Sequence, residues 1–206
     1  MSNYHFYRPE AGHGLAHDPL NAIIGPRPIG WVSTVSAAGQ VNLAPYSFFN
    51  AFNYRPPIIG FSSLGGKDSL RNAEATGEFV WNIATRALAE KMNATSVPAP
   101  HGINEFDLAG LTQAPSQLIA PPRVQESPVN FECKVTQIVR LQDHRQAPVD
   151  AWLVIGEVIG AHIRKDLLKD GIFDTFGADI ILRAGGPTAY AHVTPDSRFD
   201  MQRPGG

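Results

Sequence analysis

Apolar and polar positions in this chain recur mostly every second residue, in short runs broken by glycine and proline, and that pattern predicts strands. Residues 29 to 36 set Ile29, Trp31, Ser33 and Val35 on one face and Gly30, Val32, Thr34 and Ser36 on the other. Ala37-Ala-Gly-Gln40 turns the chain back into a strand from Asn42, which makes a hairpin. Pro57 to Ser62 and Glu78 to Ala84 read as further strands. Between them Gly65-Gly66 permits a tight turn, and Asp68 or Ser69 is a good N-cap for a helix ending near Gly77. Thr85 to Asn93 reads as a second helix, capped by Thr85, with Leu88 and Met92 on its apolar side. Farther on, Val129, Phe131, Cys133, Val135, Val139 and Leu141 share one face, opposite Asn130, Glu132, Lys134, Thr136 and Arg140. Ala151 to Ile163 is apolar on both faces, interrupted by Glu157 and ended by His162, and reads as a central strand. The pattern predicts a mainly β protein with a few short flanking helices. Residues 1–206 form one domain, with an extended arm over 1–28 and a polar tail over 194–206.

Composition narrows the class. A net charge of -2 gives no electrostatic reason to expect nucleic acid or an anionic membrane. The single cysteine, Cys133, excludes an internal disulfide, and its strand-like surroundings predict burial, which fits a reducing cytoplasm. No apolar run reaches the roughly 20 residues of a membrane span, and the first residues lack a secretion signature, so a cytoplasmic location is expected. Asn93-Ala-Thr95 matches a glycosylation acceptor by pattern only.

The chemistry-bearing groups concentrate between Asn42 and Asn72. Free backbone N–H groups at the helix start near Asp68, with the Lys67 ammonium beside them, would make an anion site. The other reading is an ordinary strand-turn-helix with a solvated lysine. A nucleoside-triphosphatase loop is excluded, because Gly66 stands where the lysine belongs and Asp68 where a magnesium-binding hydroxyl belongs. Asn42, Ser47 and Asn50 offer a polar edge for a planar ring, and Pro45 keeps the backbone off a regular ladder. Phe48, Phe49 and Phe52 are either walls of that pocket or plain core. His13 and His17 stand four apart, but Gly14 weakens the helix that would pair them, and no metal site is expected. No strand runs into a G-x-G-x-x-G turn, so there is no dedicated dinucleotide domain, and no nucleophile-histidine-carboxylate motif supports hydrolysis.

Four motifs in order carry a resemblance: Arg27-Pro-Ile-Gly-Trp-Val-Ser-Thr34, Asn42-Leu-Ala-Pro-Tyr-Ser-Phe-Phe49, Lys67-Asp-Ser69 with Asn72, and Gly156-Glu-Val with His162. Together they resemble the flavin reductase-like family of FMN-binding split β-barrel proteins, over about Tyr4 to Tyr190. The resemblance implies a Greek-key split barrel that forms a homodimer and holds FMN, rather than FAD, non-covalently near the subunit interface. It implies that Trp31, Ser33 and Thr34 lie beside the flavin ring, and that Asn42 to Phe48, which includes Leu43, Ala44, Pro45 and Ser47, form the ring-edge and ribityl loop, next to Asn50. Ser62, Ser63, Lys67, Asp68, Ser69 and Asn72 would surround the phosphate. Many relatives have Thr at Ser69, and the hydroxyl is kept.

Arg27 is then a flavin or phosphate contact rather than a surface charge. His162 is either a structural hydrogen-bonder or a group on the nicotinamide or flavin side. Tyr190, in Arg183-Ala-Gly-Gly-Pro-Thr-Ala-Tyr190, is either a flavin-stacking group or a core or dimer tyrosine. Ser96 to Pro122, rich in Pro, Gly and Ala, is expected to cover the flavin or the dimer seam, with His101 and Glu105 exposed. The implied activity is hydride transfer from NADH or NADPH to the flavin, with a monooxygenase or another acceptor taking the electrons. The alternatives are an FMN electron carrier without NAD(P)H activity and a non-catalytic flavin-binding module.

Overall fold

The computed structural model describes residues 3–98, 100 and 102–205. Its first strands are β1 (Arg27–Pro28), β2 (Gly30–Val35), β3 (Val41–Tyr46), β4 (Phe49–Tyr54), β5 (Pro57–Leu64) and β6 (Glu78–Asn82). The rest are β7 (Gln113–Ala114), β8 (Arg123–Val124), β9 (Val129–Gln142), β10 (Pro148–Ile163), β11 (Leu168–Lys169), β12 (Ile172–Phe173), β13 (Ile181–Arg183) and β14 (Tyr190–His192). The α-helices are short: α1 (Leu20–Ile23), α2 (Asp68–Thr76), α3 (Ala89–Ala94) and α4 (Glu105–Leu108). Antiparallel pairing joins seven strands in the order β3-β2-β6-β9-β10-β5-β4, while β1, β13 and β14 form a separate three-stranded sheet. Among the described residues no helix is long and apolar enough to cross a membrane.

Alternation along β2 sets the architecture. Trp31 enters one core with Leu43, Met92, Phe106 and Ile181. Val32, one residue on, enters a second core with Tyr46, Phe61, Phe79 and Val154. The strand therefore separates two hydrophobic interiors, with both residues fully buried. The predicted hairpin forms: Ser36 N–H donates to Gln40 O at 2.8 Å, and Gly39 takes the positive φ of 82° that the turn needs. β3 is an edge strand, which accommodates Pro45 without a missing ladder bond.

Several local expectations change. The helix predicted from Thr85 is a 3₁₀ turn over Arg86–Leu88 followed by α3, and the Thr85 side chain caps nothing. The arm is not extended throughout, since a 3₁₀ turn (Pro9–Ala11) and α1 interrupt it. In β9 the polar face is not outward over its first half. Asn130 and Glu132 are buried, while Val139 and Leu141 are exposed. Glu132 is accommodated because its carboxylate accepts from the N–H groups of Gln117 and Leu118, at 2.8 and 2.7 Å, and lies 2.5 Å from His162 Nε2. A loop drawn from the Ser96–Pro122 segment thus covers a face that the alternation assigns to solvent. Glu105 is likewise buried rather than exposed, and His101 lies outside the described residues.

β10 pairs on both sides, with β9 and β5, as its two-faced apolar pattern requires. Gly156 on this strand is closely packed. A methyl there would fall 2.5 Å from Phe79 Cε1 and 3.0 Å from the Lys134 carbonyl oxygen. Phe79 is fully buried and has little room to yield. Gly156→Ala is therefore expected to lower unfolding free energy by about 1–3 kcal/mol, seen as a lower urea midpoint at unchanged m value.

Candidate functional site

Two adjoining cavities lie where β3, β5 and the start of α2 meet. The smaller, of about 260 Å³, is lined by Arg27, Lys67 and Arg183 together with Ser47, Phe48 and Ser62. Among the described residues no carboxylate lines it. The larger, of about 470 Å³, is lined by Asn42, Ala44 and Ser69, by Ser96 to Pro98, and by Asp68 and Glu105. Pro45, Tyr46 and Lys67 line both.

The pairing of β1 with β13 creates the cationic character. Arg27 and Arg183 are direct register partners, an arrangement that unscreened like charges disfavour. Backbone carbonyls hold each guanidinium. Arg27 donates to Ser47 O at 2.9 Å, Asn21 O at 2.6 Å and Ile24 O at 2.5 Å, and lies over the Phe48 ring at 5.5 Å. Arg183 donates to Ala189 O at 2.6 Å, Pro187 O at 2.7 Å and Gly186 O at 3.0 Å, and stacks on Tyr190. Burial, and then the nearby Arg183, push the Arg27 guanidinium below its usual pKa.

Lys67, rather than Asp68 or Ser69, occupies the N-cap position of α2, and its side chain makes no capping bond. The two expected caps are engaged elsewhere. Asp68 pairs with Arg71 at 2.7 Å, and Ser69 Oγ accepts from Asn42 Nδ2 at 2.8 Å. The first turn of this nine-residue helix, uncapped by the N-cap side chain, therefore opens beside the Lys67 ammonium. Gly77 ends α2 in the left-handed region, as the sequence predicts.

Tyr46 stands between the cavities with 6% of its surface exposed. Among the described residues its hydroxyl has no hydrogen-bond partner of acceptable geometry, although the Ser63 and Ser69 hydroxyls lie beside it. Burial pushes this phenol's pKa up. A buried hydroxyl without a well-aligned partner is costly to the chain. Burial likewise raises the Glu105 carboxyl, partly countered by the Leu43 N–H that it accepts at 2.9 Å.

Of the residues picked out by sequence, Arg27, Asn42, Ala44, Pro45, Ser47, Phe48, Ser62, Lys67, Asp68 and Ser69 are brought together on these walls. Trp31, Ser33, Thr34, Leu43, Ser63 and Asn72 are buried behind them and line neither cavity. Their polar atoms are satisfied internally. Trp31 Nε1 donates to Thr95 Oγ1 at 3.0 Å, Ser33 Oγ to Pro122 O at 2.5 Å, Asn72 Nδ2 to Thr34 Oγ1 at 3.0 Å and Ser63 Oγ to Gly65 O at 3.0 Å. Asn50 is exposed on edge strand β4, where its Oδ1 accepts the Ala51 N–H. Tyr190 lines a different cavity. His162 is at the far end of β10 from Ala151, the partner of cavity-lining Leu64, so within one chain it is Glu132's hydrogen-bonding partner and does not reach the site. Sequence reasoning included Tyr46 in the Asn42 to Phe48 loop without singling it out, and missed Arg183, whose approach to Arg27 exists only through the β1–β13 pairing.

The chain is a largely antiparallel β protein in which a cationic helix start opens beside a cavity walled in part by Tyr46 and Phe48. The chain belongs to the flavin reductase-like family: the flavin reductase like domain matches residues 25–180. An uncharacterised protein of Halalkalibacterium halodurans is 37% identical over 78% of this chain and 79% of its own length. Among solved structures, nitrilotriacetate monooxygenase component B from Bacillus cereus superposes with a TM-score of 0.82 at 32% identity, covering 88% of this chain and 90% of that one. The 2-nitrobenzoate 2-nitroreductase of Pseudomonas fluorescens gives 0.78 at 28% identity, covering 89% and 88%. The fold is accordingly the split β-barrel expected from the motifs.

Tyr46→Phe removes the unpaired hydroxyl and is expected to raise the stability of the ligand-free chain by about 1 kcal/mol, measured by urea unfolding. A second expectation concerns acid. Burial raises the Glu132 carboxyl, but the Gln117 amide, His162 and the Leu118 amide together outweigh it and leave the pKa lowered. A lowered folded pKa gives stability that is present above the unfolded value of about 4.3 and lost as pH falls through the folded one. Glu132→Gln should therefore flatten the fall in stability below about pH 4.3 relative to the parent, in urea titrations across that range.

Proposed function

We propose that this chain binds FMN non-covalently across the two cavities and passes hydride from NADH or NADPH to it, as a flavin reductase. The observation that carries the reading is the cavity lined by Arg27, Lys67 and Arg183 and, among the described residues, by no carboxylate, sharing Pro45, Tyr46 and Lys67 with a larger neighbour. Three cations and an uncapped helix start favour a phosphate dianion over a neutral ligand. Phe48, Pro45 and Ala44 supply apolar walls for a flat ring. The residues present thus fit a flavin mononucleotide. When bound, the flavin would supply the two-electron chemistry, with reduced nicotinamide as donor.

The chain's own part is to hold and orient. Lys67 and the α2 amides fix the phosphate end, while the Arg27 and Arg183 guanidiniums, each clamped by carbonyls, offer charge without needing to reorganise. Ser96 to Pro98 close part of the larger cavity and limit water. A homodimer is part of the proposal. Edge strand β4 leaves Phe52 and Tyr54 exposed, at 53% and 86%, and a second copy would cover such an edge. The likeness to a monooxygenase component supports a role as the reductase half of a two-component oxygenase.

The test is to identify the co-purifying cofactor by mass and follow bleaching under anaerobic NADH and NADPH. Bleaching by either dinucleotide supports the reductase. A bound flavin reduced by dithionite alone would replace it with an electron carrier, and no flavin binding would end the proposal. Lys67→Ala is expected to weaken FMN affinity by about 1–3 kcal/mol through loss of a charge-assisted bond, read by fluorescence titration.

A further inference from the structure

A third cavity, of about 430 Å³, opens on the other side of the Arg183–Tyr190 turn. Its floor is apolar and fully buried, made by Met92 and Ile181. Tyr190 forms one wall, 44% exposed, with the Arg183 guanidinium 5.0 Å from its ring centroid. Arg183 itself lines the cationic cavity, so the stacked pair divides one site from the other. Arg86 and Glu90, one helical turn apart and both exposed, line the cavity, and among the described residues neither side chain has a hydrogen-bond or ion-pair partner, which leaves both open to a ligand. His192 lines it too, with Nδ1 held 2.6 Å from Asp179 Oδ1.

These groups offer an unusual combination of contacts to one ligand. An aromatic wall over a buried apolar floor takes a flat ring. An unpaired carboxylate takes a pair of hydroxyl donors, and an unpaired guanidinium takes an anion. A purine ribonucleotide has all three: base, ribose diol and phosphate. We propose that this cavity is an adenine-nucleotide site that seats the adenylate half of the nicotinamide dinucleotide, with Tyr190 stacking on the base, Glu90 on the ribose diol and Arg86 on phosphate. Naming that ligand rests on the NAD(P)H reading above, whereas the cavity and its chemistry do not. The cavity adjoins the cationic one through a single turn, which places a dinucleotide beside the proposed flavin without a separate dinucleotide-binding domain.

The probe is 5′-AMP, titrated calorimetrically into the full-length, FMN-saturated protein so that the cationic cavity is already filled. Binding is expected, with Tyr190→Ala weakening it about tenfold or more and Tyr190→Phe, which keeps the ring, changing it less than about twofold. Glu90→Gln should weaken 5′-AMP and leave 2′,3′-dideoxyadenosine monophosphate unaffected. Absence of 5′-AMP binding at millimolar concentration, equal affinity in Tyr190→Ala, or displacement of FMN by 5′-AMP would each overturn the assignment. Anaerobic bleaching in the same preparations separates the two proposals. AMP binding without bleaching by either dinucleotide removes the reductase reading and keeps the nucleotide site, and bleaching without AMP binding does the reverse.

Discussion

Three positive charges converge on one small cavity, and much of the surrounding chain is arranged to hold them there. Arg27 and Arg183 face each other across a sheet pair, with Lys67 on the same wall. Like charges so placed repel, and burial of Arg27 adds a desolvation cost. The fold answers with dipoles rather than counter-charges. Carbonyls of Asn21, Ile24 and Ser47 converge on one guanidinium, and those of Gly186, Pro187 and Ala189 on the other. A carboxylate would have neutralised the cavity, whereas carbonyls steady the cations and leave their net charge in place.

That arrangement needs a rigid support, and the two cores with the polar residues between them supply it. Asn72 bonded to Thr34, Asn42 bonded to Ser69, and Trp31 bonded to Thr95 tie α2, β2, β3 and the segment after α3 together. Two of these bonds join an element that lines a cavity to β2, which does not, and the third joins two lining residues, Asn42 and Ser69. The hydroxyl and amide residues near the site thus divide into two groups, one facing the cavities and one fixing the strands and helix that present them.

Much of the fold was legible because the signals were local. The β2–β3 hairpin, the end of α2 at Gly77 and the two-faced pairing of β10 follow from turn chemistry and period. Contacts between distant segments misled the local reading. Glu132 alternates as an outward residue, yet the loop at Gln117 and Leu118 buries it. Asp68 has the side chain of a cap, yet Arg71 engages it. Of the motif-derived residues, Arg27 and nine between Asn42 and Ser69 line the two cavities. What escaped was Arg183, brought across by a two-residue strand, and the division of the hydroxyls into lining and supporting sets, which depends on depth rather than spacing.

The burial of β2 on both sides constrains how this chain can vary in length. Inserting or deleting one residue within Gly30–Val35 would exchange the indole of Trp31 and the isopropyl group of Val32 between compartments of different shape, and would misalign the partners of Asn82 and Pro45 together. A backbone that faces water, as in the exposed Ala37–Gln40 turn, can take an added residue without that exchange. A strand with an interior on each side behaves as a keel, and lineages can lengthen around it more readily than through it.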